Sequence, residues 1–299
     1  MYHYWGFGLH ILSEIEFPEL LPFEFDVPDV TIRLGKTPET LEGDDVVHRV
    51  RISMSPNEYL LKIHDIANYY VSGGKKVLVE IFPGADEKSV RLFMLSSAMA
   101  AVLHQRNLIP LHASGIFHKN GVVLFCGQSG AGKSTLVTAL QQQGHHIFTD
   151  DVCVLYPQSD GSINATSSYP MAKLWADSLT RIGITSTEEN RIRPQLPKYA
   201  RFFHDSFVTD SLPVKAVFVL ERSAQITNAE LTGLSKLEAF EKLQANAYRP
   251  AHIDAMGKRK LHFSFTSSLA ASTMIYKISR PDNNDSVKQL IELITSRLM

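Results

Sequence analysis

The stretch Gly127-Gln128-Ser129-Gly130-Ala131-Gly132-Lys133-Ser134, followed by Thr135, has the residue types that hold a polyphosphate. Glycines permit positive φ and let the backbone close around phosphate oxygens. Successive amide N–H groups then face inward as an anion nest. A helix beginning at the loop adds its positive N-terminal end. Lys133 supplies a point charge for the outer phosphates, and the Ser134 hydroxyl suits magnesium. The pattern G-x-x-x-x-G-K-[ST] arises by chance in roughly one chain of this length in a hundred. Here an apolar run, Val122 to Cys126, precedes it, and helix-forming residues from Ser134 to Gln143 follow it. Gly127 to Thr135 are therefore expected to bind a nucleoside triphosphate, ATP with Mg2+.

Asp150 and Asp151 end the next expected strand, His145 to Thr149, which is half polar where the usual strand at this place has four apolar residues. A helical crossover makes that strand parallel to Val122 to Cys126. Strand carboxyl ends lie on the edge that carries the phosphate loop. The pair is thus expected to face the phosphates, one carboxylate holding magnesium and the other accepting a proton from an attacking hydroxyl. A solvated turn is the alternative for an arbitrary Asp-Asp pair. His112 has two readings. A hairpin turning on Asn120-Gly121 pairs Lys119 with Val122 and sets His112 opposite Ser129, inside the loop. It can equally be a hairpin histidine with no chemistry.

The elements that must position these groups follow from pattern. Residues 1 to about 80 are β-rich, with short runs at Val30 to Leu34, Val46 to Ile52, Tyr59 to Ile63 and Val77 to Phe82. Glu87 to Gln105 has the i, i+3, i+4 apolar spacing of a helix. Two domains are expected, 1–85 β-rich and 86–299 carrying the loop. Beyond the acidic pair, the pattern gives helices over Leu174 to Ile182, Leu234 to Asn246 and Asp285 to Leu298, the last capped by Asp285 or Ser286. It gives strands at Val214 to Leu220 and Met274 to Ile278, and a polar flap from Glu188 to Phe203. In that flap Arg191, Arg193, Lys198 and Arg201 could hold an acidic peptide or carboxylate, or form a solvated loop.

Bulk properties narrow the class. The 299 residues are 44% hydrophobic and carry a formal net charge of -1. That composition can bury a core, and the charge balance excludes a chain-wide electrostatic footprint for nucleic acid or membrane. Cys126 and Cys153 lie in apolar runs and are expected as reduced core thiols. The N-terminus has no signal-peptide pattern and no apolar run spans a bilayer. The expectation is a cytoplasmic protein without nucleic-acid or membrane partners.

His112-Ala113-Ser114-Gly115, the phosphate loop, Gly144-His145 and Asp150-Asp151 together resemble the catalytic domain of the HPr kinase/phosphorylase family. The match covers about Leu108 to Leu155. It implies an α/β P-loop kinase domain of the HPr kinase/phosphoenolpyruvate carboxykinase type, here with a smaller β-rich N-terminal domain. It also implies roles. Asp151 accepts the proton of a substrate serine, His112 assists at the transferred phosphate, and Lys133 holds the β and γ phosphates. Ser134 binds magnesium, and Asp150 is the favoured carboxylate beside it. The family's second signature, with a magnesium-binding glutamate, has no counterpart in Tyr169 to Asp177. Leu174 to Asp177, Val219-Leu220-Glu221-Arg222 and Gly6-Phe7-Gly8-Leu9 are similar to a divergent branch that includes lasso peptide kinases. The resemblance implies a serine kinase acting on a peptide or protein, and leaves a homo-oligomer open. A small-molecule hydroxyl kinase, or a P-loop ATPase or nucleotide switch without an acceptor, stand as alternatives.

Overall fold

The computed structural model describes residues 1–282 and 286–298. It is a mixed α/β molecule with two nine-stranded sheets and a two-stranded ribbon. The first sheet is built from strands between Tyr2 and Ile81. Alternation explains them: in Ala67–Ser72 every second residue is buried, so Tyr69 and Val71 enter the core while Asn68 and Tyr70 stay outside.

A helical segment then crosses this sheet. Asp86 caps Glu87–Phe93 by accepting from the Ser89 amide at 2.8 Å. A π turn, Met94–Ala98, leads into Met99–Gln105. Ala98, Ala100 and Ala101 allow close approach, and Tyr69 Oη donates to the Val90 carbonyl at 2.9 Å. The resulting apolar cluster joins residues of the first sheet, the helical segment, and Val152, Val154, Met171 and Tyr248. One core therefore crosses the expected 85/86 boundary.

The second sheet carries the loop. Gly121–Cys126 runs parallel to Leu212–Ser223, which runs parallel to Met274–Pro281. Strand alternation splits the apolar residues between two cores. Val123 and Phe125 pack with Leu136 and Leu140 of the loop helix, Lys133–Gln142, and with Ile291 and Ile294 of Val287–Leu298. Val122, Leu124 and Cys126 pack on the other face with Leu243 and Leu269. Being apolar on both faces, the strand reads as a continuous hydrophobic run.

Ala113–His118 pairs antiparallel with Gly121–Cys126 on one side and with Ile147–Thr149 on the other. The strand before the acidic pair is thus parallel to the loop strand, with the hairpin strand between them.

The hairpin register differs from expectation. His118 pairs with Gly121 and Ala113 with Cys126, so the turn is Lys119-Asn120, and His112 is not opposite Ser129. Two features explain this. Lys119 takes the positive φ of the turn, 50°. Gly121 is needed elsewhere, because a Cβ there would lie 2.5 Å from the Pro213 carbonyl oxygen.

Three other expectations change. Val46 to Ile52 is two short strands, Val47–His48 and Ile52–Met54. The helix expected from Leu174 begins instead as a strand, Met171–Trp175, before Ala176–Arg181. The polar flap contains its partner, Lys198–Phe202. Two helices, Pro250–Ala255 and Arg259–Ser272, lie where no element was expected. Of the two caps expected for the closing helix, Asp285 lies outside the described residues. Ser286 directly precedes it, and its carbonyl accepts from the Leu290 amide.

Candidate functional site

Gly127 to Thr135 form a loop between the central strand and its helix. Gly127, Gly130 and Gly132 have φ of 140°, 83° and 103°, the left-handed values that glycine adopts without steric penalty. Gly127 also has no room for a side chain, since a Cβ would meet the Leu220 oxygen at 2.5 Å. Its amide donates to Asn246 Oδ1 at 2.7 Å. Lys133 begins the helix, and its ammonium turns back over the loop. It donates to the Gly127 oxygen at 2.6 Å and the Gln128 oxygen at 3.2 Å. Burial lowers the Lys133 pKa below that of a free lysine.

His112 sits at a break in the chain, between Ile109–Leu111 and Ala113–His118. Its amide donates to the Asn246 carbonyl at 2.8 Å. The ring bridges the two halves of the site. Nδ1 is 2.8 Å from the Asp151 carbonyl oxygen, and Nε2 is 3.0 Å from Lys133 Nζ. A carbonyl accepts and an ammonium donates, so the proton belongs on Nδ1 and the lone pair on Nε2. Burial, then the nearby Lys133 charge, lowers the His112 pKa and keeps the ring neutral.

The acidic pair occupies a tight turn. The Val152 amide bonds the Asp150 carbonyl at 2.8 Å, and Asp151 has φ of 70°. Consecutive strand residues would point to opposite faces. The left-handed Asp151 breaks that alternation, and both carboxylates reach one cavity. Strain of this kind, of order 1–3 kcal/mol, persists where the surroundings hold it. Asp150 is 1% exposed. Its Oδ1 accepts from Ser114 Oγ at 2.5 Å and its Oδ2 from the Lys173 amide at 2.9 Å. Asp151 Oδ2 is 2.8 Å from Lys173 Nζ, and Oδ1 is 3.5 Å from His112 Nδ1. Burial alone would raise the Asp151 pKa. Lys173 first, then His112 and Lys198, more than offset it and hold the carboxyl well below its usual range. Reciprocally, Asp151 overcomes the burial of Lys173 and keeps that amine firmly protonated.

Lys173 and Arg222 entered the sequence reading only as members of quoted stretches, and Arg280 not at all; none was given a role in the site. Lys173 lies on Met171–Trp175. Arg222 and Arg280 are register neighbours on parallel strands. Both guanidinium groups brace the loop: Arg222 donates to the Gly130 carbonyl, and Arg280 Nε donates to the Ala131 carbonyl at 2.9 Å. Isolated cations on strands carry no spacing signal, so only their place in the fold reveals them.

The expected basic patch does not assemble. Only Lys198 faces the cavity. Arg191 pairs with Glu188 at 2.9 Å, Arg193 lies over the Phe93 ring, and Arg201 donates to Gln141. Adjacent strand residues face opposite ways, and the turn before Lys198 carries the two earlier arginines away.

The cavity is about 340 Å³. Lys133, Lys173, Arg181, Lys198, Arg222 and Arg280 line it against Asp150, Asp151 and Asp177, a surplus of cations. Such a lining favours a polyanion. Ser134, Thr135 and Asp150 share the wall. A hydroxyl and a carboxylate are hard oxygen donors of the kind that magnesium takes alongside phosphate oxygens. Both Asp150 oxygens are already engaged, but each keeps a second lone pair.

No helix among the described residues is long and apolar enough to cross a membrane. No family model matches this chain, and no curated protein does. Among solved structures, the Hpr(Ser) kinase/phosphatase from Coxiella burnetii is similar over 63% of this chain and 94% of that one, at 16% identity and a TM-score of 0.34. A likeness at that level carries no argument about chemistry, and the function rests on the site's own residues.

Proposed function

We propose that this chain is a kinase that moves the γ-phosphoryl group of ATP to the hydroxyl of a serine in a peptide or protein, a ribosomally made precursor peptide being one such acceptor. One observation carries the reading: a single neutral ring, His112, bonds Lys133 of the phosphate loop and the backbone carbonyl of Asp151, which sets the ionised Asp151 carboxylate beside the loop. A switch that only binds nucleotide needs the loop but no proton acceptor, while an ATPase would turn the same carboxylate on water.

In this reading the loop amides and the helix N-terminus hold the β and γ phosphates. Lys133 exchanges its bonds to the Gly127 and Gln128 carbonyls for phosphate oxygens. Arg222 and Arg280 keep the loop's shape through its Gly130 and Ala131 carbonyls. Ser134 and Asp150 would hold magnesium, which supplies charge neutralisation at the β and γ phosphates. The serine oxygen attacks the γ phosphorus, the bond to the β–γ bridging oxygen breaks, and ADP leaves. The serine proton passes to the Asp151 carboxylate. In phosphoryl transfer positioning and electrostatics dominate, so a weakly basic carboxylate suffices as late proton acceptor. His112 keeps Lys133 and the acidic turn in register.

The test is transfer of labelled γ-phosphate to serine peptides with ATP and magnesium, read as phosphoserine by mass. The parent protein is expected to transfer. Lys133→Ala is expected to lose roughly 100- to 1,000-fold, as for loss of one transition-state donor. Transfer by Lys133→Ala at the parent rate would refute the loop's role. ATP hydrolysis with no acceptor among peptides or small hydroxyl compounds would favour an ATPase.

A further inference from the structure

A second cavity, about 240 Å³, lies beside the phosphate site. It sits between the helix Glu87–Phe93 and the ribbon of Met171–Trp175 and Lys198–Phe202. Its apolar walls are Leu92, Leu95, Met171, Ile192, Ala200 and Phe202. Arg91 and Glu19 also line it, but they neutralise one another at 2.9 Å, each only 14% exposed. Lys88 Nζ donates to the Glu189 carbonyl at 2.6 Å and ties the Glu188–Asn190 turn to the helix. The space exceeds the ~150 Å³ of an apolar cavity that accepts benzene.

The ribbon connects this cavity to the phosphate site. Its cross-strand pairs are Met171 with Phe202, Lys173 with Ala200, and Trp175 with Lys198. Alternate residues share a face. The opposite face, Ala172, Leu174 and Tyr199, packs into the core of the loop helix. The first face therefore runs as one row, with the apolar pair at one end and Trp175 and Lys198 at the other. Lys173 stands between them and lines both cavities, its ammonium on Asp151. Phe202 is 43% exposed and Trp175 37%. Large rings left open on both sides of a buried ion pair fit a binding surface better than a free one.

We propose that this second cavity is the acceptor pocket, and that it takes an apolar side chain of a peptide two residues from its acceptor serine. The proposal rests on the phosphotransfer reading and specifies its substrate. Lys173 and Met171 are two strand residues apart, about 6.6 Å. An extended peptide repeats its side chains on one face at the same spacing. A serine oxygen placed at Asp151 then puts the side chain two positions away over Met171 and Phe202. The apolar walls select Phe, Leu or Met there, while Lys88, Glu189 and Arg191 also line the cavity, Lys88 held on the Glu189 carbonyl and Arg191 on Glu188.

The experiment uses the full chain, ATP, magnesium and a hexapeptide library with one serine and every other position varied. Phosphorylated products are expected to be enriched in Phe, Leu or Met at the second position on one side of serine. Phe202→Ala should raise KM for the best peptide roughly tenfold, the effect of losing about 1.4 kcal/mol of apolar contact, with kcat little changed. Phe202→Leu should restore most of it, and retained nucleotide affinity will report an intact fold. Phosphorylation regardless of that position, with a parental KM in Phe202→Ala, would overturn the pocket and leave the phosphotransfer reading standing. Phosphorylation of small hydroxyl compounds but no peptide would overturn the peptide acceptor. Transfer to no hydroxyl at all would remove both.

Discussion

Lys173 Nζ lies 2.8 Å from Asp151 Oδ2, with the lysine side chain 5% exposed and the carboxylate 21%. The group proposed to receive the serine proton is therefore ionised before any substrate arrives. Lys173 sets that state, and removing its charge should change when Asp151 ionises.

In Lys173→Met, burial acts on Asp151 with its main counter-charge gone. Its pKa should rise, because burial disfavours the charged form. Activity that needs the ionised carboxylate is lost as pH falls through this pKa, so the acid limb of kcat/KM should move to higher pH. A buried carboxylate left without its partner should also cost about 3 kcal/mol or more in stability. The pH profile and denaturant midpoint check both. An unmoved acid limb would separate Asp151 from the proton transfer.

Asp150 has a different task from its neighbour. Asp150→Asn keeps the bond from the Lys173 amide but loses one negative charge in the cavity that Ser134 also lines. It should raise the magnesium concentration for half-maximal transfer. Excess chelator should abolish transfer in parent and variant alike. A parental magnesium requirement in Asp150→Asn would show that the carboxylate only supports Ser114 and the ribbon.

What the sequence made legible, and what it hid, follow from how far each signal reaches. The phosphate loop was readable because Gly127, Gly130 and Gly132 meet a local backbone demand, and all three have positive φ. The direction of the strand before Asp150 followed from its helical crossover. The register of His112 was misread because Gly121 answers to Pro213, some ninety residues away in the chain. Lys173 was passed over as part of a stretch lacking an expected glutamate. Its partner is 22 residues distant, and only the ribbon brings them together. Arg191, Arg193 and Arg201 formed a patch in sequence but not in space. Charge clustering along a chain does not survive a turn and a change of strand face.

The fold should lose stability in mild acid through buried histidines, His104 and His252 foremost. His104 and His252 are buried, with ring centroids 5.6 Å apart. Burial lowers their pKa values from 6.5 to about 4 and about 3. Both states are neutral above pH 6.5. Below it the unfolded chain takes up protons and the folded one does not, so stability falls until the folded values are reached. At pH 5 the loss should be roughly 2 kcal/mol per histidine. His104→Gln should shrink the difference between unfolding midpoints at pH 7 and pH 5, with the rest left to His252 and the other histidines whose pKa values burial lowers. An equal difference in the variant would place the acid sensitivity elsewhere.

The central claim is that Asp151 takes the proton of the attacking hydroxyl and makes no contact that holds the nucleotide. Asp151→Asn separates the two in a single-turnover measurement, with nucleotide affinity determined on the same protein. Affinity should stay near the parent value, since no phosphate contact is lost. The transfer step should slow by roughly 100- to 10,000-fold, the range for removing a general base. Transfer by Asp151→Asn at the parent rate would contradict the account.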